Sequence, residues 1–435
     1  MPHNKFVMTW ALIPASGTRT FNGPKKQELG VKRVIYSEID GNSTKFYTLV
    51  ALLGVFLLSA LGAAYYMEHH GHYVTSMNNQ IVWGMPHVFA IFLIVAASGA
   101  LNVASIGTVF GKTIYKPLGR LSGLLAVALL VGGLMVLVLD LGHPDRLIVA
   151  MTNYNFKSIF AWNIFLYVGF IGIVAAYLWV QMERRMNRYA KAAGLVAFLW
   201  RLILTTGTGS IFGFIVAREA WDSAIMAPLF IMMSFSFGLA VYILVLLAAY
   251  RGSNREIGDV VVQKLGRLLG VFVAAVLYFT AVQHLASLYA TEHSGVERFI
   301  LLDGGIYTLL FWLGQVVVGG LLPLILVFRP KKQATTNSGR GVIMASVAVI
   351  LGGFSQVYVI VIGGQAYPQN MFPGMEVSSS FFDGAIANYS PSLPEVTLGL
   401  GGVALAGLIV LLGIKVLRFL PTTLADAGAA SRGDS

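Results

Sequence analysis

The chain has no cysteine. That excludes thiolate-held iron–sulfur clusters, covalent c-type haem attachment, cysteine zinc sites and disulfides. Charge is scarce as well, at 11% of the 435 residues, where a soluble domain carries roughly 25%. With 57% hydrophobic residues, there are too few polar side chains to cover a water-facing surface. Residues 1–45 are polar and basic and lack a short apolar core before a small-residue cleavage site, so no cleavable signal is expected.

Long apolar runs take the place of the missing charge. A helix crossing a bilayer needs about 20 mostly apolar residues. Candidates lie near 46–67, 82–110, 118–141, 158–181, 192–217, 225–250, 264–290, 303–328, 341–365 and 396–418. They predict an all-α integral membrane protein with about ten transmembrane helices. Its parts are a cytoplasmic tail at 1–45, a first helix at 46–67, four-helix units at 82–217 and 225–365, a periplasmic loop at 366–395, a last helix at 396–418 and a cytoplasmic tail at 419–435.

The basic residues alternate between loops. With the N terminus in the cytoplasm, 25 of the 30 fall on the inner side and four on the outer, while Arg201 lies inside the fifth span. This is the positive-inside pattern, and it predicts an N-in/C-in chain. The formal charge of +11 is thereby read as topogenic, and no nucleic-acid partner is expected.

Short matches point to a repeat. Leu118-Gly119-Arg120-Leu121 opens the third span and Leu265-Gly266-Arg267-Leu268 the seventh. Pro86 and Pro228 open the second and sixth, and Trp162 and Trp312 fall in the fourth and eighth. Together they predict two parallel four-helix units, spans 2–5 and 6–9, arising by duplication.

Titratable side chains crowd the predicted outer face, including seven of the eight histidines: His69, His70, His72, His87, His143, His284 and His293. Most lie in loops, where polar residues are needed anyway; His87 and His284 fall within spans. The stretch Leu139-Asp140-Leu141-Gly142-His143-Pro144-Asp145-Arg146 closes the third span. A carboxylate at the end of an apolar helix is costly unless paired, hydrated or useful. Asp140 is expected about a turn inside the interface with Arg146 close enough to pair, either as a structural bridge or as a proton acceptor. Trp83-Gly84-Met85-Pro86-His87 opens the second span on the same face and places His87 at a similar depth. Bis-histidine haem on His87 and His284 is the rival use, but no histidine pair repeats at a second depth. Arg201, near Thr205, Thr206, Thr208 and Ser210, is either a functional cation or one that snorkels inward.

The motif Asp140-Leu141-Gly142-x-Pro144-x-Arg146, with Ser158 and Trp162 opening the next span, resembles the NrfD/polysulfide reductase C (PsrC) family of integral membrane subunits. The ten-span length and Tyr389-Ser390-Pro391-Ser392-Leu393-Pro394-Glu395 resemble its ten-helix branch, which includes HybB-type hydrogenase subunits and DsrP subunits. Span 5 departs from that branch, reading Thr206-Gly207-Thr208-Gly209-Ser210 where a histidine-containing element is expected. The resemblance implies a quinone oxidoreductase subunit of the bacterial cytoplasmic (inner) membrane, active only within a multi-subunit respiratory or sulfur-metabolism complex. Menaquinone or ubiquinone would be its substrate. A periplasmic ferredoxin-like iron–sulfur subunit and further membrane or cytoplasmic redox subunits would be its partners. No haem or iron–sulfur cluster is expected on this chain. The resemblance places Asp140 and Arg146 on the family motif; His87, Trp83 and His284 join them as candidate quinone contacts by depth and face. A DsrP-like role is favoured and a hydrogenase role comes second. The alternatives are a proton- or solute-translocating module and a structural anchor without quinone chemistry.

Overall fold

The structure, a computed structural model, describes residues 34–329, 338–369 and 385–425. Ten of its helices are long and apolar enough to cross a membrane: α1 (Thr44–His70), α2 (Met85–Thr108), α3 (Thr113–Leu139), α4 (Ile159–Met182), α5 (Arg184–Phe214), α6 (Met226–Gly252), α7 (Asp259–Tyr289), α8 (Ile306–Phe328), α9 (Gly339–Ala366) and α10 (Leu393–Val416). These are the ten predicted spans. His3, most of the predicted N-terminal tail, Phe372, Phe381, Phe382 and the last ten residues lie outside the described residues.

Local chemistry sets several helix starts. Ser43 accepts the Phe46 N–H at 3.2 Å and caps α1. Pro86 and Pro394 sit in the first turns of α2 and α10, where a missing N–H leaves no bond unmade. Lipid contact then sorts the helices. In the most apolar window of α2, 89% of residues are buried, against 6% for α1, so α2 is a central element and α1 a lipid-facing one. α2 packs between α3 and α6, α9 packs on α6 and α8, and α10 ties α1 to α3.

Because lipid is as apolar as leucine, these packings depend on close approach rather than on expulsion of water. At the α2–α6 crossing, a Cβ on Gly99 would stand 1.5 Å from the Ser234 carbonyl oxygen. At the α8–α9 crossing, one on Gly352 would stand 2.0 Å from the Gly319 Cα.

The helix ends sort into two faces. On the basic face, β1 (Tyr36–Ser37) pairs antiparallel with β2 (Leu420–Pro421). Arg255 donates to the Glu38 carbonyl at 2.7 Å, and the Arg120 guanidinium lies over the Tyr36 ring. The segments flanking α1 and α10 are thus held together. On the other face meet the ends carrying His72, Trp83, Asp140, Trp221, Gln365 and Glu395; it is called the histidine-rich face below.

Trp162 and Trp312, the matched tryptophans, share an environment. Each is half exposed and donates its indole N–H to a preceding carbonyl, Phe156 at 2.7 Å and Leu301 at 2.9 Å. Such tryptophans suit a membrane–water boundary.

Gly99→Ala is expected to destabilise the bundle by roughly 1–3 kcal/mol through overpacking. Gly54→Ala on α1, where a Cβ meets nothing within 4 Å, should be near neutral. Thermal melting in detergent compares the two.

Candidate functional site

The motif at the end of α3 is explained by its backbone. Asp140 caps the helix, its N–H pointing to the carbonyls of Val136 and Val138. Gly142 follows at φ +72°, a left-handed conformation that side chains resist. A Cβ there would also touch the His72 ring at 3.4 Å. Pro144 then opens a single turn of 3₁₀ helix, Pro144–Arg146.

This turn leaves the Asp140 side chain fully buried and facing two histidines. His87 Nδ1, in the first turn of α2, lies 2.9 Å from Asp140 Oδ2. His72 Nε2, in the loop after α1, lies 3.8 Å from Oδ1. Neither contact is aligned as a hydrogen bond. Both Asp140 oxygens, His87 Nδ1 and His72 Nε2 are therefore buried polar atoms without a well-directed protein partner. Buried polar atoms are seldom left so, and here four of them face one another at one point. The neighbouring Asp140 carboxylate raises the His72 ring above its ordinary 6.5, against the opposing pull of burial. The shift favours the imidazolium, a donor facing the carboxylate, over a free ring.

Aromatic rings wall the site. Trp83 stacks on His87, with centroids 5.8 Å apart, and on Trp221, with centroids 5.2 Å apart. Phe160 and Phe212 meet it edge-on.

The segment bearing Trp83 is clamped from three sides. Gln365, at the end of α9, accepts the Val82 and Trp83 N–H groups at 3.0 Å through Oε1, and its Nε2 donates to the Trp83 carbonyl at 2.9 Å. Arg218 donates to the Gln80 and Gln365 carbonyls. Glu395, fully buried, accepts from the Tyr389 hydroxyl at 2.9 Å and the Ser392 N–H at 2.6 Å, and the Tyr389 hydroxyl accepts the Met85 N–H at 2.7 Å. A Cβ on Gly84 would fall 2.5 Å from Glu395 Oε1 and 2.7 Å from the Tyr389 hydroxyl, so any side chain where α2 begins would displace this clamp.

The structure thus brings together His87, Asp140 and Trp83. It does not bring in the other two candidates. Arg146 is exposed and makes no ion pair among the described residues, which corrects the expected Asp140–Arg146 pair: the left-handed turn at Gly142 carries the chain away, and histidines from α2 and the first loop supply the partners instead. His284 sits elsewhere, paired through Nδ1 with Glu297 Oε2 at 2.6 Å rather than with Asp140. Arg201 does not snorkel. Its guanidinium is buried over Phe198 and Phe235, with a 3.5 Å reach to the Ser98 carbonyl.

Sequence reasoning missed His72, Gln365, Trp221 and the role of Glu395. The Tyr389–Glu395 stretch stood out only as a resemblance. A glutamate three residues after Ser392 is itself a helix-start signal and could have marked the buried carboxylate.

Known proteins share this sequence pattern. A family model described as polysulphide reductase, NrfD, matches residues 73–369. The Hdr-like menaquinol oxidoreductase integral membrane subunit of Archaeoglobus fulgidus is 29% identical, over 89% of this chain and 97% of that protein. The C-type membrane subunit of a putative dimethyl sulfoxide reductase from Halobacterium salinarum is 27% identical, over 88% and 93%. The C-type subunit of the selenate reductase from Mesobacillus selenatarsenatis is 24% identical, over 86% and 92%. With the family model covering more than half of its length, this multi-pass membrane chain belongs to the NrfD polysulphide reductase family.

Proposed function

We propose that the chain is the quinone-interacting membrane subunit of a multi-subunit respiratory or sulfur-metabolism redox complex, and that the His72–His87–Asp140 cluster is its quinone site. The observation that carries this is the convergence of four buried, poorly satisfied polar atoms beside the Trp83 ring. A quinone head group is a flat ring with polar oxygens at opposite edges. The donor set fits it: an imidazole to hydrogen-bond one oxygen, a carboxylate to take the proton, and an indole face for the ring. A bound quinone supplies two-electron, two-proton chemistry. The chain's own part is to orient the ring against Trp83, hold a donor at His87 and accept a proton at Asp140. His72, at the site's more exposed side, exchanges that proton with water.

The positive-inside pattern supports placing the histidine-rich face on the outer side of a bacterial cytoplasmic membrane. A periplasmic ferredoxin-like iron–sulfur subunit would then dock there and carry the electrons. Arg146, exposed beside the site, suits that docking surface better than the quinone. The menaquinol named in the Archaeoglobus relative makes menaquinone the first quinone to test. Among partners, a DsrP-like complex is favoured and a hydrogenase of the HybB type is second.

Protection of the purified complex by a quinone analogue tests the site: labelling of His87 by a histidine-selective reagent should fall when the analogue is added. Unchanged labelling would favour a structural anchor. Asp140→Asn is expected to lower quinol-linked turnover about 10²–10⁴-fold, the usual worth of a general base, with assembly intact by gel filtration.

The raised His72 value also sets a pH dependence. A group whose folded pKa exceeds its unfolded one stabilises fully below the unfolded value and loses that contribution as pH rises through the folded one. The melting-temperature advantage over His72→Gln should therefore be full below about pH 6.5 and shrink above neutrality.

A further inference from the structure

The cations of the basic face are not all used alike. Some are engaged with protein. Arg120 donates to the Gln181 and Arg418 carbonyls, Arg255 to the Ser37 hydroxyl and the Glu38 carbonyl, and Lys415 to the Gly41 carbonyl, while Arg418 pairs with Glu38 at 3.2 Å. Where α4 passes into α5 the pattern is different. Arg184, Arg185, Arg188 and Lys191 fall within eight residues, all are exposed, and none makes an ion pair among the described residues. Glu183, the acidic residue beside them, accepts the Arg185 backbone N–H at 3.2 Å. Arg188 lies over the ring of its neighbour Tyr189, 4.7 Å from the centroid. Membrane topology requires such charges to lie on this side. It does not require four of them to be gathered at one joint, where like charges repel and draw anions.

A third strand of chain reaches the same joint. The Thr108 and Tyr177 hydroxyls meet at 2.7 Å, and a Cβ on Gly194 would stand 3.2 Å from both side chains. The end of α2, the end of α4 and the start of α5 therefore converge. The loop at 109–112 leaves from this point and ends on Lys112, also exposed and without an ion pair among the described residues. Gly111 in that loop lies at φ +71° with nothing within 4 Å of a Cβ, so the space above it is open.

The membrane side of the joint is apolar and shallow. In the most apolar window of α4, 28% of residues are buried. Val168, Gly172, Ala175, Ala176 and Trp179 are exposed at helical spacing on one face. A Cβ on Gly172 would meet nothing within 4 Å, so the surface is low between Val168 and Trp179. Gly172 to Trp179 spans roughly 10 Å at 1.5 Å per residue. Trp179 is 60% exposed and its carbonyl accepts the Glu183 N–H, which sets the indole one turn from the cations. Tryptophan at such a place suits the level of lipid headgroups.

We propose that this joint holds an anionic phospholipid of the leaflet on the basic face. Its phosphate sits on Arg184, Arg185 and Arg188, with Lys112 and Lys191 at the rim, and one acyl chain lies along the 168–179 face of α4. Guanidinium groups suit a phosphate because they donate two parallel N–H bonds to its oxygens. Charge complementarity selects the headgroup: a zwitterionic lipid brings a cation of its own into a patch that already lacks acceptors. The low apolar face selects a lipid over a dissolved anion, which gains nothing from it. Basic segments beside a span are drawn to acidic lipid in the same way. One headgroup then ties α4, α5 and the 109–112 loop together. The site is remote from the quinone site, because Phe160 and Phe212, which wall that site, lie at the opposite ends of α4 and α5.

Native mass spectrometry of the full chain in detergent tests this, with phosphatidylglycerol, phosphatidylcholine and glycerol 3-phosphate as probes. Phosphatidylglycerol is expected to bind about tenfold or more tightly than phosphatidylcholine, and glycerol 3-phosphate is expected not to displace it. The triple variant Arg184→Gln/Arg185→Gln/Arg188→Gln should weaken phosphatidylglycerol binding by about fivefold or more. Lys264→Gln/Arg267→Gln, which removes two other cations of the basic face, should leave it within about twofold. Melting temperatures without added lipid show whether each variant is folded. Gly172→Leu keeps every cation and fills the low face of α4, so it decides the matter if the triple variant does not fold: weaker phosphatidylglycerol binding supports the proposal and unchanged binding overturns it. Equal binding of the two lipids also overturns it, as does an equal loss in the Lys264/Arg267 variant. Displacement by glycerol 3-phosphate overturns it too, since the cations would then serve a soluble anion.

Discussion

The structure turns on one burial: a carboxylate at the end of an apolar helix, enclosed between two imidazoles. A fully buried Asp140 is tolerable only because His72 and His87 stand at 3.8 and 2.9 Å from its oxygens. An ion taken out of water without partners costs several kcal/mol. Yet the partners are imperfectly aligned, and the polar atoms stay under-satisfied. A fully satisfied cluster would be a lock. A partly satisfied one, next to a stacked indole, is the feature on which the proposed quinone site rests.

Holding that cluster requires rigidity from distant parts of the chain. His87 is placed by the start of α2, and the start of α2 is placed by Gln365, Tyr389 and Glu395, whose bonds to it span roughly 280 to 320 residues of chain. The Glu395 carboxylate is buried and fully engaged by the Tyr389 hydroxyl and backbone N–H groups. Unlike Asp140 it has no imidazole to exchange with, which suits positioning rather than chemistry. Two buried carboxylates on one face thus differ in their surroundings: Glu395 meets hydroxyl and backbone donors, and Asp140 faces imidazoles.

The bundle carries two histidine–carboxylate pairs with different surroundings. Each places a histidine against a carboxylate near the histidine-rich face: His87 with Asp140, and His284 with Glu297. The first pair opens on aromatic rings and the second on glutamines and a threonine. Trp162 and Trp312 each donate the indole N–H to a preceding carbonyl.

The ten helices were legible in the residues themselves, because about twenty apolar residues in a row admit only one backbone solution in lipid. The crowding of histidines and carboxylates at one end of the spans was equally plain, as was the shared depth of His87 and Asp140. Partners that depend on a turn or on long-range packing were not legible. Arg146 is six residues from Asp140 and was the natural counter-ion, but the left-handed Gly142 turns the chain outward and the folded bundle substitutes His72. Glu297 was one acidic loop residue among many until the end of α7 folded against it. Composition and hydropathy are properties of the local chain and decide which segments enter the membrane. Which polar atoms face each other inside it depends on helix rotation and crossing, and only tertiary packing decides those.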